Sequence, residues 1–196
     1  MSTITVLVQA YILTLYPGSA QSRGGSARGS GQQLGALARG LAVPSFWSRS
    51  EIDSAFAEAN RIWGREADIQ FSPVDILERD AVVPADENGM WACFVNQLTP
   101  RSRGIGAAFV HDLPSNEGGW GGGRIVAVSG VKARSGLSGF PGNLLAHELG
   151  HVLTNSPHHS SESGNLMHHG RNPRVANAGL LTPEQVRDAR QRAAAL

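Results

Sequence analysis

The stretch AHELGHVLTNSPHHSSESGNLMHHG, Ala146 to Gly170, holds six of the chain's seven histidines. With the preceding PGNLL it places Leu144, Leu145, Leu149 and Val152 at helical spacing, which predicts a helix with one apolar side. His147 and His151, four residues apart, then share a face, where both imidazoles can turn toward one ion. Glu148 stands about 100° round the helix from His147, near enough to reach a water on that ion without ligating it. Neutral imidazoles and an open coordination position are the pattern of a catalytic zinc, and a neighbouring carboxylate supplies general base and acid.

After Leu153 the sequence turns polar and contains Pro157, so the helix is expected to stop near Thr154 or Asn155 and the chain to swing back. That return brings a third imidazole within reach, with His158 and His159 as the two candidates. A few residues on, GNLMHHG places Met167 in a tight turn bracketed by glycines.

Taken together, His147, Glu148, His151, a third histidine and Met167 resemble the metzincins. These are zinc proteases with a long His-Glu-x-x-His-x-x-Gly-x-x-His motif and a following Met-turn. The motif-grade match covers residues 147–167, while the order of strands and helices agrees more loosely along most of the chain. In the usual motif the third ligand stands six residues after the second, which here is Pro157, and Thr154 occupies the place of the motif's glycine. Pro cannot ligate zinc. The resemblance therefore implies a loop one residue longer, with His158 as third ligand and His159 as the alternative. Asn155, which tolerates positive φ, would take the left-handed conformation that glycine otherwise provides.

The same resemblance implies one catalytic Zn²⁺, Glu148 as general base and then acid, and Met167 as a packing base beneath the metal. In some metzincins a Tyr two residues past the Met steadies the oxyanion; His169 occupies that place. An edge strand that pairs with extended substrate is implied at Gly106, Ala107, Ala108 and Phe109. The Gly-rich loop around Trp120 would form a flap over the cleft. The expected activity is hydrolysis of peptide bonds in a peptide or protein substrate. The alternatives are a zinc hydrolase of another amide, such as cell-wall peptide, or an inactive zinc-binding homologue serving as a binding module.

Outward from this stretch, Ile4 to Leu15 is an apolar run rich in β-branched residues and reads as a buried first strand. Its rival reading is the core of a signal peptide, but no Lys or Arg precedes it. Residues 17–35 are rich in Gly and Ser and read as a flexible loop. From Ser50, which can cap it, a helix is specified by Ile52, Ala55, Phe56, Ala59, Ile62 and Trp63 on one face. ADIQFSPVDIL alternates like a strand, with Pro73 marking an edge or bulge. GIGAAFVHD and GRIVAVSG are two further strands, separated by the loop LPSNEGGWGGG. Thr182, Pro183 and Gln185 spell a capping box with Pro at the first helical position, opening a last helix.

These elements make an α/β (α+β) domain with a mixed twisted sheet, a long backing helix, an active-site helix and a C-terminal helix. The chain, residues 1–196, is expected to form one catalytic domain. Its upper part, to about 157, holds the sheet and zinc helix; the lower, from about 158, holds the Met-turn and last helix. A net charge of +1 with no block of like charges disfavours nucleic acid as a partner. No segment is apolar enough to span a membrane. The lone Cys93 excludes an intramolecular disulfide framework and the Cys-rich zinc modules, and reads as a small buried residue. The absence of disulfides and of a clear signal peptide suits a protease delivered into another cell, and action outside the producing cell is expected.

Overall fold

The apolar run at the N-terminus becomes the middle of the sheet. In the computed structural model, which describes residues 2–17, 41–84, 87–113, 118–134, 141–168 and 179–196, strand β1 spans Ile4–Pro17. It pairs in parallel with β2 (Ile69–Val83) on one side and with β3 (Ile105–Val110) on the other. Strand β5 (Ile125–Ser129) runs parallel to β3, and β4 (Gly119–Gly122) closes the sheet antiparallel to β5. The order is β2-β1-β3-β5-β4. With a neighbour on each edge and apolar cover on both faces of its middle, β1 reads as a nearly continuous apolar run, and its exposed positions, Thr5, Leu7 and Tyr16, lie toward its two ends.

Side-chain alternation divides two cores. Val6, Val8 and Ala10 of β1 and Ala107 and Phe109 of β3 face one cluster; Tyr11, Leu13, Leu15, Ala108 and Val110 face the other. The first cluster is covered by α1 (Arg49–Ala67), α4 (Pro141–Thr154) and α5 (Pro183–Ala195). The second is covered by α2 (Glu87–Leu98), through Met90, Phe94 and Leu98. The sequence reading contains no α2, although the four-residue spacing of those three side chains carries it. A short helix, α3 (Gly130–Arg134), follows β5. Among the described residues the result is a mixed five-stranded sheet with five helices on its two faces.

Pro73 marks both features that the sequence allowed. β2 is an edge strand, and its register with β1 slips between Val8 and Gln9, which pair with Pro73 and Asp75. Proline is tolerated there because no ladder bond is asked of it. The apolar face of α1 is Ile52, Ala55, Phe56, Ala59, Ile62 and Trp63, joined by Ala67. Its start differs from expectation: Ser48, not Ser50, is the cap. Ser48 Oγ accepts from Glu51 N (3.3 Å) while Ser48 N donates to Glu51 Oε2 (2.8 Å). The reciprocal pair needs a side chain three residues after the serine that is long enough to reach back to its N–H; Ser48 has Glu51 there, and Ser50 only the shorter Asp53. Burial pushes the Glu51 carboxyl upward, but its bonds from Ser48 and Arg134 outweigh this and hold it below the usual carboxylate range. The last helix starts as its sequence specified, with Thr182, Pro183 and Gln185 in a complete capping box.

Of the Gly/Ser-rich segment at 17–35, all but Pro17 lies outside the described residues, as do residues 114–117 of the Gly-rich loop. No helix among the described residues is long and apolar enough to cross a membrane.

Candidate metal centre

Helix α4 is held against the core by Leu145, Ala146, Leu149, Val152 and Leu153, all fully buried. Trp63 of α1 fastens it further, its indole N–H donating to Ala146 O at 3.0 Å. With one face so committed, His147, Glu148 and His151 are turned toward the sheet's β4 edge and the chain that returns after the helix.

How α4 ends decides what meets these side chains. Asn155 takes φ 50°, the left-handed conformation expected of it. Asn155 N donates to Val152 O and Ser156 N to His151 O, the two bonds of a Schellman turn with Asn in the usual glycine place. The reversed chain then offers Ser156 O to His151 Nδ1 at 2.7 Å. Leu166 O, from the turn that holds Met167, lies 2.7 Å from His147 Nδ1. A carbonyl only accepts, so both rings carry a proton on Nδ1, which leaves Nε2 as the atom able to act as a ligand.

The third imidazole comes from the returning segment. Ser160 N donates to Met167 O at 2.8 Å, in a bridge between Ser160 and His168 that aligns this segment with the Met-turn. His159 thereby stacks on His147 (centroids 5.2 Å, 20° between planes) and meets His151 edge-on (5.0 Å, 87°). His147 and His151 stand 4.9 Å apart. One ligand atom from each of the three lies within 4.8 Å of the others, so His147, His151 and His159 form a group that can hold a metal ion.

His158, expected as the third ligand, is not in this group. It is exposed, and its backbone N–H donates to Ser156 Oγ. The loop is thus longer than the one-residue insertion expected, and the alternative, His159, stands eight positions after His151. Both histidines are exposed, and the difference is one of direction: neighbouring side chains in extended chain point to opposite sides, so pairing at Ser160 turns His159 toward His147 and His151 and His158 away from them.

Met167 is 1% exposed and lies beneath α4. A Cβ at Gly150 would collide with its Sδ and would stand 3.4 Å from Trp63 Cζ2. The glycine between Leu149 and His151 is the space that lets the Met-turn reach the helix.

Strand β3 corrects another expectation. Gly106, Ala107, Ala108 and Phe109 do not form a substrate edge strand. They pair with β1 on one side and β5 on the other, all of β3 is buried, and no row of backbone groups is left for a substrate. The edge is β4, cut from the Gly-rich stretch read as a loop. Its alternate residues explain the composition: a Cβ at Gly119 would lie 2.5 Å from Glu148 Cγ, and one at Gly121 would strike Glu148 O and approach His151 Cβ to 2.9 Å. Trp120, pointing the other way, packs edge-on to Trp91 at 5.8 Å. The β4 backbone therefore rests directly on α4 at Glu148, which is 4% exposed. The alternation Gly119-Trp120-Gly121 was the available signal.

Of the remaining residues, His111 lies beside Phe46 (3.8 Å) at the end of β3, apart from the histidine group. His168 is partly buried and also apart from it. His169 lies outside the described residues. Cys93 sits on α2, half-buried, its thiol pushed up by burial and bonded to Val82 O. Compared with protein-family models and with curated proteins, the chain matches none.

The donor set is one that can hold a metal ion: backbone carbonyls at Nδ1 of two of the three imidazoles leave Nε2 as the ring atom that faces the group.

Proposed function

We propose that this protein is a zinc-dependent endopeptidase of metzincin type. The observation that carries the reading is the convergence of His147, His151 and His159 beside Glu148 of the same helix. Met167 beneath Gly150 and the antiparallel edge strand β4 beside Glu148 add support.

A bound zinc supplies Lewis-acid polarisation and renders water acidic enough to lose a proton near neutral pH. The chain's own residues do the rest. Leu166 O and Ser156 O orient the rings of His147 and His151 through Nδ1. Glu148 takes a proton from the attacking water and delivers it to the leaving nitrogen as the C–N bond breaks, so water and one amide yield one carboxylic acid and one amine. Gly119 and Gly121, having no side chains, let β4 approach closely enough to restrict the Glu148 carboxylate from behind. The outer edge of β4, which pairs with no strand among the described residues, offers backbone bonds to an extended peptide regardless of its sequence.

Metal analysis combined with cleavage of a peptide library tests the reading on wild type and Glu148→Ala. Both proteins should bind about one zinc, and cleavage should fall by about 10²–10⁴-fold in the variant. Equal cleavage by the two proteins overturns the hydrolytic assignment, and failure of wild type to retain zinc overturns the metal assignment.

A further inference from the structure

Below the histidines, one side chain joins the Met-turn to the last helix. Asn165 is 3% exposed, and both polar atoms of its amide are engaged. Its Oδ1 accepts from Met167 N at 2.8 Å, and its Nδ2 donates to Gln185 Oε1 at 2.9 Å. Gln185 Nε2 returns a longer bond to Asn165 Oδ1, at 3.3 Å. Gln185 is the capping-box residue of α5, and the same Oε1 accepts from Thr182 N at 2.9 Å.

The segment that Asn165 clamps supports His147 and His159 and packs against the helix beside His151. Leu166 O orients His147. Met167 O receives Ser160 N, the residue after His159. Met167 Sδ fills the space at Gly150, directly before His151. Leu166 N is itself fixed by Leu180 O at 2.7 Å, just ahead of the α5 cap.

We propose that Asn165 is a positioning residue of the metal centre and that, through Gln185, it couples metal affinity to the docking of α5. This rests on the metal reading above. Coupling of this kind is reciprocal: metal occupancy protects the start of α5, and release of α5 weakens the metal.

The test uses the full chain as wild type, Asn165→Ala, Asn165→Asp and Thr182→Ala. Zn²⁺ affinity is measured by competition with a chromophoric chelator, and the ligand field by the visible spectrum of the Co²⁺ form. Asn165→Ala should weaken Zn²⁺ by about 10–100-fold, the loss that follows removal of groups orienting a ligand, and should shift the Co²⁺ bands. Asn165→Asp keeps the acceptor for Met167 N and should recover most of the affinity. Thr182→Ala removes the bond from Gln185 N to Thr182 Oγ1 but keeps the bond from Thr182 N to Gln185 Oε1 and leaves Asn165 in place, so it should weaken Zn²⁺ less than Asn165→Ala does and should leave the Co²⁺ bands where they are.

Wild-type affinity and spectrum in Asn165→Ala would overturn the proposal, as would equal weakening by Thr182→Ala, which marks general destabilisation. Should Asn165→Ala fail to fold, Gln185→Ala takes its place: weaker binding than Thr182→Ala supports the coupling, and equal binding overturns it. A wild-type chain that binds neither Zn²⁺ nor Co²⁺ is a different failure, visible before any variant is made, and removes the metal reading itself.

Discussion

Helix α4 and the ten or so residues after it supply the same kind of ligand by different means. Within the helix, His147 and His151 are brought together by a fixed rise and rotation per residue, so their spacing alone aligns them. Beyond Asn155 no such period operates. There the histidine that faces the other two is chosen by a Schellman turn and by the bridge from Ser160 to the Met-turn. A ligand on a helix can be located by counting, whereas one on a returning loop is located by whatever the loop is tied to.

The largest effect should come from the two adjacent histidines that separate these regimes. His159→Ala should lose zinc by more than the 10–100-fold that an outer support costs, while His158→Ala should bind as wild type does. Chelator competition reads both, and the opposite ranking would return the ligand to His158, the position of a loop one residue longer than the family motif.

Next is Gly150→Ala, which tests the packing inside the helix. Its new Cβ meets Met167 Sδ, and overpacking of this kind costs about 1–3 kcal/mol, read as a lower urea midpoint for the metal-free protein. An unchanged midpoint would mean that the Met-turn does not bear on the helix.

Asn155→Ala tests the turn itself. Placing alanine at φ 50° costs about 1–2 kcal/mol, whereas Asn155→Gly should be neutral or slightly stabilising. Equal stability of the two variants would remove the turn from the account.

The smallest effect lies at the other kind of helix end, the start of α1. Ser48→Ala should cost about 1 kcal/mol and Ser50→Ala less than about 0.5 kcal/mol in the same denaturation assay. Because Glu51 is held below the ordinary carboxylate range, its share of stability is present at neutral pH and is lost as pH falls through its folded value. The gap between wild type and Ser48→Ala should therefore narrow in acid.

The pattern of success in the sequence follows the same division. The face of α1, the strand at Ile4, the capping box at Thr182 and the helix carrying His147 and His151 are legible because local periodicity and local hydrogen bonds specify them. Asn155 was legible too, since few residues accept a left-handed backbone and the helix had to stop there. Ser48 was missed beside a more obvious serine, because a cap is defined by its partner at Glu51 rather than by residue type alone.

Strand position was decided only in three dimensions. Nothing within Gly106 to Phe109 distinguishes an edge from an interior strand except burial on both faces, and a Gly-rich stretch reads as loop until α4 lies against it. The sequence by itself determined that two imidazoles and a carboxylate would share one helix, because covalent spacing and helical geometry align them, while the methionine turn beneath was what the resemblance to metzincins implied. Only the tertiary structure decided that His159 completes the group, that β4 borders it, and that Asn165 ties it to the last helix. Each of those depends on hydrogen bonds and close approaches between segments that are distant in the chain.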